Sequence, residues 1–425
     1  MVQNNSMDTH SYSLGPTRLD EEREKSEAYD ELYGEVQRGV NRAFDKVIRQ
    51  TRRSYNIGFD LRVLSTGRVT GVEEYTLELA KHLTQLETNQ MYTFYYNASS
   101  NALHTYFDDK NVVRSTTPNK LLDFSLKFKS RPYLDEFTKS ELFFSPHFLL
   151  TPLKSAKRVL TIHDLSFIRF PEFFSFKHHF WLTWMNVKKQ IRDADMIVVP
   201  SECTKNDLID LLGVSKDKII KIHHGINTIF NTHYDEDTLA QFKKEEQLPD
   251  KFILYLGTIE PRKNITTLIK ATELLFDEFK DVSLVLAGNL GWLFQKCLET
   301  IRSSKYRERI ILRPISSEDR PKLYQSAEVF VYPSFFEGFG FQPIEAQLSH
   351  IPVIASNRSS LPEILGNSAI LIDPYNRLDI AEAIRIVLRE EKVRNYLIRK
   401  GKENTVQFNW STVAEKYSKL FASMY

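Results

Sequence analysis

Glu337 and Glu345, with seven residues between them, bracket the stretch Glu337-Gly-Phe-Gly-Phe-Gln-Pro-Ile-Glu345. Carboxylates are poor ligands for phosphate and good acceptors for sugar hydroxyls. Between them the order of residues predicts a turn of structure that favours anions. Glu328-Val-Phe-Val-Tyr-Pro333 has the composition of a short buried strand. Pro343 suits the first position of a helix, where its missing N–H and fixed φ cost nothing. Strand, glycine loop and helix follow in sequence, and the unpaired N–H groups at the helix start form a place for phosphate. A site that takes anions at its centre and hydroxyls at its edges points to a sugar nucleotide.

A second polar loop, Gly257-Thr-Ile-Glu-Pro-Arg-Lys-Asn264, follows the apolar run Phe252–Leu256. Open α/β sheets bind ligands beyond the carboxyl ends of their strands, which is where this loop lies. Asn264 can cap the helix that follows, so Arg262 and Lys263 stand beside a positive helix end. Fixed cations there would stabilise the charge that develops on a departing diphosphate. Solvated loop charges would spell the same letters, and the Glu337 block downstream favours the site. His163 lies at the carboxyl end of another apolar run, Arg158–Ile162, on the same side of a parallel sheet. Asp164 could orient its imidazole or cap the next segment. Asp193-Ala-Asp195 has the form of a metal-binding Asp-x-Asp, but it separates a helix from the Met196–Ser201 run and reads as helix termination. No His/Cys cluster has metal-ligand spacing, so no metal and no cofactor are expected; positive charge comes from Arg262 and Lys263.

These loops need two large domains to carry them. The chain has 425 residues, 42% hydrophobic and 12% aromatic, enough for two cores. A net charge of +2 gives no global attraction to nucleic acid or membrane. Cys203 and Cys297 fall in different predicted domains and do not make a disulfide framework. No stretch of about 18 apolar residues occurs and the amino terminus lacks a signal-peptide core. A cytoplasmic enzyme, with peripheral contact at the inner face of the membrane as a secondary reading, is expected.

Residues 1–54 read as a polar tail and an amphipathic helix over 20–53, acidic in its first half and basic in its second. Packing on its own enzyme, self-association, docking on a partner and contact with an anionic membrane surface stay open for it. Strand-like and helical runs then alternate, which predicts βα units and parallel sheets. The domains expected are 55–228, a polar linker 229–250, a second domain 251–408 and a terminal helix 409–425. Residues 167–184 hold eight Phe and Trp residues beside Arg169, Lys177, His178 and His179, expected to be core and acceptor-side wall. A lipid-linked or membrane-presented acceptor is the second reading of that segment.

Glu337 and Glu345 at this separation, with Pro352-Val-Ile-Ala-Ser356 and Leu361-Pro-Glu-Ile364 after them, resemble the signature of the retaining glycosyltransferases of family 4. The resemblance spans roughly residues 55–425 and implies the GT-B architecture, two facing Rossmann-like domains with a cleft between them and the last helix crossing back to the first. It implies that Glu345 accepts hydrogen bonds from the nucleotide ribose, that Glu337 faces the donor sugar, and that Gly338, Phe339, Gly340 and Phe341 hold phosphate and sugar oxygens through their N–H groups. Gly257 opens the diphosphate loop, although Thr258 stands where many relatives carry Arg. His163-Asp164 is similar to the family's His-Asp dipeptide, whose histidine contacts the donor sugar. The loop with Gly67 and Gly71 resembles the family's amino-terminal glycine loop near the diphosphate. The implied reaction is metal-independent hexosyl transfer from a nucleoside diphosphate sugar to a saccharide or lipid-linked acceptor. Ser201-Glu-Cys-Thr-Lys205 and the Gly257 loop look most like bacterial mannosyl- or related transferases of surface polysaccharide assembly. A GT-B sugar-nucleotide epimerase, and a non-catalytic partner that assembles through the 20–53 helix, are the alternatives.

Overall fold

The computed structural model describes residues 55–66, 71–98 and 106–425. The expectations for Gly67 and for the tail and helix within residues 1–54 lie outside the described residues. Alternating apolar runs and amphipathic helices give two parallel sheets. The first contains β1 (Tyr55–Asp60), β2 (Gln90–Asn97), β3 (Val112–Ser115), β4 (Leu142–Ser145), β5 (Lys157–Thr161), β6 (Met196–Val199) and β7 (Ile219–Lys221), in the order β3-β2-β1-β4-β5-β6-β7. The second contains β8 (Lys251–Leu256), β9 (Val282–Ala287), β10 (Ile310–Arg313), β11 (Val329–Tyr332), β12 (Val353–Ser356) and β13 (Ile370–Ile372), in the order β10-β9-β8-β11-β12-β13. All residues of β4, β11 and β12 are buried, as expected of strands covered on both faces. Strand order reverses between β1 and β4 and again between β8 and β11. Each reversal opens a crevice at the carboxyl ends of its strands. The expected pair of Rossmann-like domains is therefore present.

Helices that flank the sheets include α1 (Gly71–Thr84), α2 (Asn119–Phe128), α3 (Phe176–Met185), α4 (Glu236–Glu245), α5 (Ile265–Thr272), α6 (Arg320–Gln325), α7 (Phe341–Leu348) and α8 (Trp410–Ser423). Helix α1 buries Tyr75, Leu79 and Leu83, four residues apart, and carries Glu73 and Glu74 in its first turn, where they complement the helix dipole. Helix α4 occupies the segment expected to be linker. Asp235 caps it, accepting from the Thr238 N–H at 2.7 Å. Phe242 is its buried residue, so its composition looks like that of a loop. No helix among the described residues is long and apolar enough to cross a membrane.

Helix α8 belongs by packing to the first sheet. Trp410, Val413, Ala414, Tyr417, Leu420 and Phe421 share a core with Ile57, Phe59 and Phe144. Burying aliphatic and aromatic side chains like these stabilises by about 1.5–3 kcal/mol each. The Tyr417 and Tyr75 hydroxyls meet at 2.6 Å inside it. The chain thus crosses between the sheets twice, and the two crossings touch: Ile226 N–H donates to the Phe408 carbonyl at 2.9 Å. A Cβ on Gly225 would lie 2.4 Å from the Trp410 indole, so only glycine fits under it.

Candidate active site

The reversal between β8 and β11 brings two loops together, residues 257–264 after β8 and residues 333–340 after β11. Gly257 takes φ 151°, and a Cβ on Gly288 would meet its carbonyl oxygen at 2.2 Å, so two chain segments stack where only glycine permits. Asn264 does not cap α5, in contrast to the expectation. It adopts a left-handed conformation at φ 58° and donates through Nδ2 to the Pro333 carbonyl at 3.1 Å and the Pro374 carbonyl at 2.7 Å. Its duty is to fasten the first loop to the second.

That fastening sets four charges in contact. Lys263 Nζ donates to Glu337 Oε1 at 2.7 Å and to the Tyr332 hydroxyl at 2.6 Å. Arg262 Nη1 donates to Glu337 Oε2 at 2.8 Å and to the Phe336 carbonyl at 2.7 Å. Arg262 Nη2 reaches Glu260 Oε1 at 2.8 Å. Burial works to raise the Glu337 carboxyl, but the Arg262 and Lys263 charges more than offset it and hold it at about 2. Burial and the Arg262 charge lower Lys263. Two cations face two carboxylates, so the wall is balanced rather than positive. The expectation that Arg262 and Lys263 supply positive charge to the site needs this correction: their charge is already met by Glu260 and Glu337.

Glu345 lies in a second cluster. Its Oε1 accepts from Arg320 Nη2 at 2.6 Å and its Oε2 from the Tyr324 hydroxyl at 2.9 Å. Burial raises its carboxyl pKa against the pull of Arg320. Each oxygen keeps lone pairs beyond the one already used. Arg320 Nη1 also reaches Glu74 Oε2, on α1 of the first domain, at 3.4 Å, and its Nε is buried with no hydrogen-bond partner among the described residues. Sequence reasoning missed Arg320, Tyr324 and Glu260.

The glycine loop between the glutamates is pressed against the first domain. A Cβ on Gly338 would lie 1.9 Å from the His163 carbonyl oxygen. Ser201 Oγ donates to the Gly338 carbonyl at 2.7 Å, and Ser360 Oγ to the carbonyls of Glu337 at 2.9 Å and Phe339 at 3.0 Å. Gly340 takes φ 103° and opens α7, which starts at Phe341, two residues earlier than Pro343 suggested. Pro343 sits at the third position, where its absent N–H still needs no helical acceptor. The Phe341 ring stacks on His224 at 5.2 Å, and Phe339 meets the same ring edge-on at 4.9 Å. A Cβ on Gly71, the first residue of α1, would be 3.4 Å from the Phe341 ring. Two helix N-termini, from opposite domains, therefore converge, an arrangement that suits an anion.

His163 follows β5 at this meeting point. Its Nε2 lies 2.9 Å from the Pro146 carbonyl and its Nδ1 3.3 Å from His224 Nε2. A carbonyl only accepts, so the proton is on Nε2 and Nδ1 accepts from His224. Burial pushes His163 down to about 4 and His224 well below its ordinary value, so both are neutral rings near pH 7. Asp164 binds the N–H and hydroxyl of Ser166 at 2.9 and 2.5 Å, so of the two duties expected for it the next segment takes it. Asp193 ends the helix Val187–Asp193, and Asp195 Oδ2 accepts from the Arg158 N–H at 2.7 Å, at the amino ends of β5 and β6 and away from the crevice. A cavity of about 620 Å³ opens between the domains beside the Glu337 loop, with Arg169, Asn206, Phe336 and Arg358 in its wall.

Residues 237–404 match the profile of the glycosyl transferases group 1, and residues 69–230 that of Glycosyltransferase Family 4. The chain is similar to the O-antigen chain mannosyltransferase B of Escherichia coli, 28% identical over 362 residues that span 80% of this chain and 93% of that one. It is also similar to the O-antigen chain mannosyltransferase RfbU of Salmonella typhimurium, 24% identical over 326 residues, 72% of this chain and 86% of the relative. Sucrose-phosphate synthase from Thermosynechococcus elongatus superposes with a TM-score of 0.68 at 19% identity, over 87% of this chain and 99% of the other. Anabaena HepE in complex with UDP-glucose gives 0.66 at 14% identity, over 87% and 100%. At such identities these two structures speak for the fold, two facing Rossmann-like domains.

Proposed function

Because the chain belongs to glycosyltransferase family 4, with the GT-B fold, we propose that it transfers mannose, or a related hexose, from a nucleoside diphosphate sugar to a saccharide or glycolipid acceptor. In this reading it works in bacterial surface polysaccharide assembly, retains the anomeric configuration and needs no metal ion. The likeness to two O-antigen chain mannosyltransferases supports the sugar and the setting. The observation that carries the chemistry is the Arg262–Glu337–Lys263 contact at the β8/β11 reversal.

When donor enters, its diphosphate takes Arg262 and Lys263, and Glu337 is released to accept from donor-sugar hydroxyls. Glu345, held by Arg320 and Tyr324, accepts from the ribose. Transfer is then a front-face displacement. The acceptor oxygen bonds to the anomeric carbon on the face from which the phosphate oxygen departs, and the acceptor proton passes to that oxygen. The cations stabilise the charge of the leaving diphosphate in a site already organised for it. His163, fixed at both ring nitrogens, acts by position and electrostatics rather than as a nucleophile.

The test is a donor survey followed by product analysis. One base class among UDP-, GDP- and ADP-sugars should stabilise the protein by roughly 1–3 kcal/mol well above its dissociation constant. NMR of the product should show the donor's anomeric configuration, and turnover should persist in excess chelator. An inverted product, or turnover restored only by manganese, would overturn the mechanism. Interconversion of the donor sugar without an acceptor would replace transfer by epimerisation.

A further inference from the structure

Helix α2 buries Leu122 and Leu126 and turns Leu121, Phe124 and Phe128 to solvent, at 63, 53 and 62% exposure. Spacings of three, four and seven put these three on one face. Helix α3 does the same with Phe176 and Phe180, at 87 and 61% exposure, and half-buried Trp184 one turn further on. The two stripes join. Phe124 and Phe128 lie 4.7 Å apart between ring centroids, Phe128 meets Trp184 at 5.8 Å, and Phe180 meets Trp184 at 6.3 Å. Lys127 Nζ donates to the Trp184 carbonyl at 2.6 Å and so fixes one helix against the other. Single exposed apolar residues are ordinary on protein surfaces; a continuous patch of six large side chains marks a contact surface.

Charge selects what the patch contacts. Lys120 and Lys127 border the stripe on α2, Lys129 and Arg131 follow it, and Lys177 lies on α3. The single acid on the two helices, Asp123, is half-buried and feels the charge of Arg62. A second copy of this chain would set these cations against each other. An apolar interior beneath an anionic face matches both features. From this juxtaposition we propose that α2 and α3 form a docking surface for an anionic lipid bilayer. The opposite side of α3 faces inward: Trp181 packs on Phe148 at 5.7 Å and on His147 at 6.3 Å, and His147 lies 5.9 Å from His163. A docked bilayer would therefore be separated from His163 by α3 and the Trp181 and His147 side chains. The inference is independent of which sugar is transferred.

The test uses the full chain and sedimentation with vesicles of phosphatidylglycerol and phosphatidylethanolamine, and with vesicles of phosphatidylcholine alone. Wild type should sediment with the anionic vesicles, be released by salt, and leave phosphatidylcholine largely unbound. Phe124→Ser, Phe128→Ser and Phe180→Ser together should lower the bound fraction by about tenfold or more, with an unchanged circular dichroism melt. Lys120→Glu with Lys129→Glu should also weaken binding, most at low salt. Binding by the triple-serine variant equal to wild type would overturn the proposal, since another segment would then hold the lipid. So would a wild-type dimer in sedimentation velocity that the same substitutions abolish while vesicles remain unbound.

Discussion

Glu337→Gln separates the two duties given to this carboxylate, because stability and nucleotide affinity should move in opposite directions. The group is nearly buried and bonded to Arg262 at 2.8 Å and Lys263 at 2.7 Å. Its carboxyl is held at about 2 against an ordinary 4.5, and at about 1.4 kcal/mol per unit this corresponds to about 3 kcal/mol of stability. The same size is expected for breaking a buried pair and leaving a cation without its partner. A depressed carboxylate contributes in full above its unfolded value, and the contribution is lost as pH falls from about 4.5 toward 2. Urea unfolding should therefore show the variant about 3 kcal/mol less stable at pH 7, with the gap narrowing in acid. The free nucleoside diphosphate, no longer competing with this carboxylate for Lys263, should bind about tenfold more tightly, about 1.4 kcal/mol by calorimetry. Turnover should fall, because the donor sugar loses its acceptor. Equal stability at pH 7, or weaker diphosphate binding in a folded variant, would refute the idea that Glu337 occupies the phosphate's partners in the empty site.

Lys263→Ala should abolish the thermal shift produced by the preferred nucleotide sugar; a shift of wild-type size in fluorimetry would remove Lys263 from the site. Gly338→Ala must push a methyl group to within 1.9 Å of the His163 carbonyl and should reduce kcat/KM by at least about tenfold through lost positioning. Gly71→Ala, with 3.4 Å available, should fold normally, and kinetics of the pair check the contrast. His147 and His163 are pushed by burial to about 3 and about 4, while an unfolded histidine binds its proton near 6.5. The unfolded chain then takes up more protons below that value, so stability is complete above about pH 6.5 and declines toward pH 4. Melting temperatures across this range test it, and a flat profile would contradict neutral buried rings. His163→Ala should lower turnover with folding intact.

Much of the second domain was legible because its site is local in sequence. Strand, loop and helix follow one another within residues 328–348, and the residue types announce both the turn and the anion. The partners of those residues were not legible. Arg320 comes from a short helix 25 positions before Glu345, and Glu74 lies 246 positions from Arg320. No periodicity reports such a contact; the two sheets must first be assembled. The His163–His224 contact spans 61 positions for the same reason. Short strands were hidden as well. β4 has four residues and β13 three, too few to show an alternating pattern; β4 is buried throughout between β1 and β5, whereas β13 lies at the sheet edge with Ile372 buried. Helix α4 escaped because a single buried residue, Phe242, supplies its core face. Asn264 was misread from its type: a residue common at helix caps was needed instead for a left-handed turn that fastens two loops.

The contact between Ile226 and Phe408 limits how the cleft can open. With one chain segment passing outward, another returning, and the two joined by a backbone hydrogen bond beside Trp410, sliding the halves past each other would tear α8 out of its core. Rotation about this bond leaves both intact. An opening about that contact would carry the far rim of the cleft through the widest arc, and a truncation that removes α8 would strip the Trp410 indole from Gly225 beside it.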